Sequence, residues 1–165
     1  MICPHFGICG GCRAYKNYDF NTYTTEIAGR ILGGESSAPI VFASPKKGFR
    51  ARADFRFCTY EGFYFATNAF GKNERTKITQ CPILLEPIQI LIKHIREILA
   101  PLSATHTLRC KLYGCSFLST YKACVVTFIY HKCLDTTWQE EIHTLKERLT
   151  HIIQESYADF EIHII

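Results

Sequence analysis

Nowhere does this chain approach twenty consecutive apolar residues, and it opens Met-Ile-Cys-Pro-His with neither the basic nor the apolar stretch of a secretory leader. No membrane association and a cytoplasmic location are expected. Charge is sparse, with Asp, Glu, Lys and Arg at 21% against 47% hydrophobic residues, which excludes a disordered tail. Six prolines and ten glycines are too few for a fibrous or low-complexity chain. At 165 residues there is room for one core, and not for a nucleotide-binding domain beside a separate substrate domain. An acidic excess is also missing. The basic residues are concentrated in residues 1–80, eleven against six acidic, whereas residues 81–165 hold eight against nine. A basic front half favours a polyanionic partner such as RNA, although charge of this size is weak evidence by itself.

Cysteine is abundant. Nine cysteines without an export signal argue against disulfides and make metal binding the leading explanation for a tight cluster. Cys3, Cys9 and Cys12 form such a cluster in Cys3-Pro-His-Phe-Gly-Ile-Cys9-Gly-Gly-Cys12, where Pro4 and the glycines let the chain turn sharply enough to aim sulfurs at one centre. Three thiolates leave a tetrahedral zinc or a cubane cluster one ligand short, and Cys81, in Gln80-Cys81-Pro82-Ile83, is the candidate fourth. Three clustered cysteines and one remote cysteine beside a proline favour a 4Fe-4S cluster over zinc. Cys58, Cys110, Cys115, Cys124 and Cys133 are scattered through strand-like segments and read as core or surface filler.

The pattern predicts a helix over 18–32 and a strand over 49–57, in which Phe49, Ala51, Ala53, Phe55 and Phe57 alternate with Arg50, Arg52, Asp54 and Arg56. A turn at Glu61-Gly62 leads to a partner strand over 63–70 and then a basic turn over 71–75. An amphipathic helix over 84–99, a hairpin of 108–118 and 121–131, a helix with a Thr137-Trp138-Gln139-Glu140 capping box and a last strand over 160–165 complete the order. The expected fold is α+β: a largely antiparallel sheet in the order β-β-α-β-β-α-β with helices on one face, over 36–165, preceded by a cysteine-rich loop and helix over 1–35. An apolar last strand without a polar tail suggests a truncated or interrupted protein. The polar row Arg50, Arg52, Asp54 and Arg56 must meet solvent, another domain or an anion. On these residues alone, water and RNA fit equally. Tyr113, Tyr121 and Tyr130 read as core or rim aromatics, and His131 as a surface histidine.

Four segments in order, Cys3 to Cys12, Phe49-Arg-Ala-Arg-Ala-Asp-Phe-Arg56, Gln80-Cys81-Pro-Ile-Leu84 and Tyr130-His131-Lys132-Cys133-Leu134-Asp135, resemble the N-terminal portion of the RNA uracil-C5 methyltransferases that make 5-methyluridine. Leu108-Arg-Cys-Lys-Leu-Tyr113 and Tyr130-His131-Lys132 look more like the tRNA branch than the ribosomal RNA branch. The resemblance implies that Cys3, Cys9, Cys12 and Cys81 hold a 4Fe-4S cluster, that the central sheet holds the tRNA T-arm, and that Asp54, Arg56, Tyr113 and His131 face the RNA. One departure is Ile8, where relatives often carry a basic residue. A larger one is the absence of the family's catalytic part, which binds S-adenosylmethionine and supplies the attacking cysteine and a general base. Gly29-Arg-Ile-Leu-Gly33-Gly34 follows a helix rather than a strand and cannot serve as a cofactor turn, and there is no Ser-Cys-Asn-Pro run. The chain therefore reads as the cluster-binding and tRNA-binding portion of such an enzyme, inactive alone and open to completion by a separate methyltransferase-domain polypeptide. The competing readings are a stand-alone RNA-binding iron-sulfur protein, a zinc module, and the equivalent portion of a 23S rRNA enzyme.

Overall fold

A computed structural model of the chain describes residues 3–11, 20–32, 42, 45 and 47–165. The elements are α1 (Phe20–Leu32), β1 (Arg52–Cys58), β2 (Tyr64–Asn68), β3 (Arg75–Ile78), α2 (Glu86–Leu99), β4 (Leu112–Ser119), β5 (Ala123–Tyr130), α3 (Thr136–Gln154) and β6 (Glu161–Ile164). Six strands form one sheet in the order β3-β2-β1-β4-β5-β6. Every neighbouring pair is antiparallel except β5 and β6, which are joined through α3 and run parallel. This is the expected α+β architecture with one strand more. No helix among the described residues is long and apolar enough to cross a membrane.

The added strand is β3, whose sequence Arg-Thr-Lys-Ile reads as part of a polar turn because only Ile78 is buried. It is an edge strand, and lysine and arginine on an edge discourage pairing with another chain. The expected turn at Glu61-Gly62 is present, with both residues at positive φ. At Gly62, φ is +119° and an added Cβ would lie 2.7 Å from the Tyr64 ring, so glycine is required there.

Alternation along β1 sends Ala53 and Phe57 into the core and leaves Arg52, Asp54 and Arg56 exposed. On the core side the aromatic rings interlock. Phe57 stacks on Phe63 with centroids 4.7 Å apart, and Phe65 meets Phe55 edge-on at 5.5 Å. Each such pair adds roughly 0.5–1.5 kcal/mol beyond its buried area. Over these rings α2 packs its stripe of Ile88, Leu91, Ile92, Ile95 and Leu99, with Pro87 in the first turn where it removes no helical hydrogen bond.

Three local expectations are corrected. The segment 108–111 is a series of turns rather than strand, ending at Lys111 with φ 60°, although Leu108 is buried. The hairpin turn lies at 120–122, where Thr120 Oγ1 accepts from the amides of Lys122 and Ala123, so Ser119 ends β4. The cap of α3 is Asp135, whose carboxylate accepts from the Trp138 amide at 2.8 Å; an aspartate one residue before the helix displaces the Thr137 box. That helix buries Trp138, Leu145, Leu149 and Ile153.

Candidate nucleic-acid interface and cysteine cavity

The sheet face away from α2 and α3 is built by cross-strand rows. In one row Arg56 lies between Ala66 of β2 and Gly114 of β4, with Lys77 beyond Ala66 and Ile129 beyond Gly114. In a neighbouring row Asp54 pairs with Ser116, which pairs with Thr127. Ser116 Oγ donates to Asp54 at 2.7 Å and Arg52 Nε donates to the same carboxylate at 3.2 Å. The Ser116 hydrogen bond, helped by Arg52 and Arg50 and partly opposed by burial, holds the Asp54 carboxyl below its ordinary range. Asp54 is therefore a fixed negative charge among three arginines.

Tyr113 reaches this face through an irregularity. The β4–β5 register shifts between Leu112 and Gly114, and the extra residue of the bulge is Tyr113. Its ring stacks on His131 with centroids 4.3 Å apart and planes inclined by 22°. The Arg56 guanidinium carbon lies 4.4 Å from the centre of the same ring. Since β4 lies between β1 and β5, Arg56 approaches from one flank and His131 from the other. Three of the four residues expected to face RNA thus form a single stack, and the fourth, Asp54, lines the adjoining cavity.

That cavity is an open trough of about 300 Å³ bordered by Asp54, Arg56, Asn68, Tyr113, Ser116 and Ile129, with the small residues Ala66 and Gly114 leaving room. Gly114 has no alternative, because an added Cβ would sit 2.8 Å from the Phe55 carbonyl oxygen. Beyond it, Lys77 lies over the Tyr64 ring at 4.4 Å and pairs with Glu61 at 3.4 Å. Ser116, Asn68 and Tyr64 were not foreseeable as site residues, because they join the face only through strand register. Tyr130 belongs to the opposite face, as expected: its hydroxyl donates to the Leu108 carbonyl at 2.8 Å, its ring meets Trp138 edge-on, and burial pushes its pKa up to about 12.

A second cavity, of about 140 Å³, lies near the β1–β2 end of the sheet and is lined by Cys3, His5, Cys9, Arg50 and Cys81. The cysteine loop docks on the end of β2: Cys9 bridges Ala69, Gly10 N donates to Asn68 O at 2.8 Å, and Phe70 N donates to Ile8 O at 2.7 Å. An added Cβ at Gly10 would meet Asn68 O at 2.9 Å, so the docking requires glycine. The Gly11 amide donates to Cys9 Sγ at 3.3 Å. Arg50, expected beside Arg52 and Arg56, joins this cavity and donates to the Gly11 carbonyl at 3.2 Å. His5, which the sequence did not single out, accepts from the Thr79 amide at 3.1 Å, and burial lowers its pKa from the ordinary imidazole value.

Cys3, Cys9 and Cys81 suit a thiolate-bound metal in their chemistry and in lining one cavity. Cys12 lies outside the described residues, and among the described residues no three metal-binding side chains close into a ligand group. Of the remaining cysteines, Cys115 and Cys124 are buried, with burial raising both thiols and Cys124 reaching about 11. Cys133 is exposed. Cys58 and Cys110 are half-buried, and of these cysteines only Cys115 and Cys124 pack in the core.

A family model described as tRNA (Uracil-5-)-methyltransferase matches residues 18–165. The chain is 36% identical over 184 residues to a tRNA/tmRNA (uracil-C(5))-methyltransferase of Helicobacter hepaticus, covering 100% of this chain and 44% of that protein. Proteins of the same name from a Sulfurovum species and from Wolinella succinogenes are 33% and 36% identical, covering 90% and 85% of this chain and 41% and 38% of theirs. The chain therefore spans less than half the length of these relatives. Asp54, Arg56, Cys81, Tyr113 and His131 fall within the matched residues, and the Cys3–Cys12 run precedes them.

Proposed function

The chain belongs to the tRNA (uracil-5-)-methyltransferase family, and from that premise we propose that its open sheet face is the surface by which a uracil-C5 methyltransferase grips the T-arm of tRNA, in the service of forming 5-methyluridine in the T loop. The observation that carries this reading is the Arg56–Tyr113–His131 stack beside a polar trough. RNA loops offer unstacked bases and closely spaced phosphates, and they are bound by aromatic or guanidinium planes together with fixed hydrogen-bonding groups. In this arrangement Tyr113 acts as the spacer that holds the Arg56 guanidinium and the His131 ring as planar surfaces. Asp54, fixed by Ser116, presents acceptors at the trough wall, while Arg52, Arg75 and Lys77 supply positive charge around it.

Methyl transfer itself is assigned to the portion of the longer relatives that this chain does not cover. S-adenosylmethionine, the attacking cysteine and the general base belong there. Residues Cys3, Cys9, Cys12 and Cys81 are assigned to a 4Fe-4S cluster, which when bound supplies a covalent cross-link between the N-terminal loop and the Cys81 turn. The sharing of one cavity by Cys3, Cys9 and Cys81 supports that assignment.

Competition binding tests the substrate. A labelled T-arm hairpin bound by the purified chain should be displaced by unlabelled T-arm far better than by a 23S rRNA hairpin or a scrambled stem-loop of equal charge. Equal displacement by all three would reduce the face to a general polyanion surface.

A further inference from the structure

We propose that His5 is a positioning residue for the cysteine site: it pins the Cys3–Cys9 turn to the segment Thr79-Gln80-Cys81, so that the thiols share a cavity before any metal arrives. This rests on the reading of that cavity as a metal site, and the experiment below separates the two. His5 is the hub of the turn. Its carbonyl accepts from the Ile8 amide at 3.1 Å and from the Cys9 amide at 3.0 Å, which fixes Cys9 relative to the His5 backbone. Cys3, two residues earlier, is drawn in by the Phe6 amide, which donates to its carbonyl at 3.0 Å. On the other side, the His5 ring nitrogen Nε2 accepts from the Thr79 amide at 3.1 Å, with the Thr79 hydroxyl also 3.1 Å away. Thr79 follows the last residue of β3 and stands two residues before Cys81.

One side chain thus ties both halves of the site across a separation of 74 residues. The backbone of Ile8, Cys9 and Gly10 attaches elsewhere, to Phe70, Ala69 and Asn68 at the end of β2. A second clasp closes the opposite side: Arg50 donates to Gly11 O while its own backbone is bonded to Ile83 and Leu85, just beyond Cys81. Half-sites distant in sequence that are gathered by the protein do not have to be ordered by the metal, and affinity rises by the ordering cost that is avoided. Two contacts beyond the thiols thereby carry a share of metal affinity, as supporting residues do at other metal centres.

The test uses the whole chain, metal-free and reduced, with a short thiol-bridging reagent, dibromobimane, and peptide mass spectrometry. Wild type should form a Cys9–Cys81 bridge. In His5→Ala its rate should fall by about fivefold, the factor that one lost hydrogen bond is worth. His5→Gln, which keeps an acceptor within reach of the Thr79 amide, should recover most of it. Equal bridging in wild type and His5→Ala, with the sheet's circular dichroism unchanged, would overturn the proposal. Should His5→Ala fail to fold, hydrogen exchange of the wild-type Thr79 amide decides: protection supports the latch, and exchange at the rate of an unstructured peptide overturns it. Iron and sulfide uptake is measured on the same preparations. Bridging without uptake of iron or zinc keeps the latch and contradicts the metal reading, whereas iron lost in His5→Ala and regained in His5→Gln supports both.

Discussion

The Tyr113 and His131 rings lie face to face, their centroids 4.3 Å apart, with Tyr113 delivered by a bulge in β4 and His131 by the end of β5. With Arg56 on the same tyrosine ring, the relationship makes the stack cooperative: removing its middle member releases both partners. Tyr113→Ala is expected to weaken T-arm binding by about 1–3 kcal/mol, the worth of one stacked base, because the planar surfaces it holds are no longer fixed. Tyr113→Phe should bind like wild type, because the ring and not the hydroxyl does the spacing. Fluorescence anisotropy with a labelled hairpin reads both, and a Phe variant as weak as Ala would refute the spacer role.

Gly114 sets how closely β1 and β4 approach beneath the trough. Gly114→Ala places a Cβ 2.8 Å from the Phe55 carbonyl, an overpacking that should cost roughly 1–3 kcal/mol. Urea unfolding should show a lowered midpoint with an unchanged slope. A midpoint equal to wild type would mean that the strands separate freely.

The pH dependence follows from Asp54. Its folded pKa lies below its unfolded value, chiefly through the Ser116 hydrogen bond, so the carboxylate contributes stability at neutral pH that is lost as pH falls through the folded pKa. Ser116→Ala should move the Asp54 titration upward toward the ordinary carboxylate range, as followed by the carboxyl carbon shift in NMR. The stability gap between this variant and wild type should narrow on acidification. The carboxylate is half exposed, so the gap is modest. An unmoved Asp54 titration would show that the hydroxyl does not set it.

Much of this architecture is legible in the residues themselves. Strict alternation over Phe49 to Phe57 identifies the polar row of β1, because a strand with one buried face must repeat every second residue. The stripe of Ile88, Leu91, Ile95 and Leu99 does the same for α2. What escapes is long-range or too short to show a period. β3 has four residues and one buried side chain, and the parallel pairing of β6 with β5 has no local signature. The partnership of Asp54 with Ser116 depends on the β1–β4 register across 62 positions. Tyr113 counts as a core or rim ring until the bulge turns it outward, and only the family resemblance pointed to the RNA face. Arg50 has the right parity for the polar row, yet the docking of the cysteine loop takes it into the neighbouring cavity. His5 gives no signal, since its partner Thr79 is distant in sequence and its ring chemistry is common to all histidines.

The claim at the centre is that the open sheet face binds tRNA through the Arg56–Tyr113–His131 stack, and a salt titration of T-arm affinity for wild type and Arg56→Ala tests it most directly. Wild type should bind with a steep linear fall of log affinity against log salt. Arg56→Ala should bind more weakly at every salt concentration, with a shallower slope for the positive charge lost from the interface. Identical affinities and slopes for the two proteins would contradict the account and remove this face from the RNA interface.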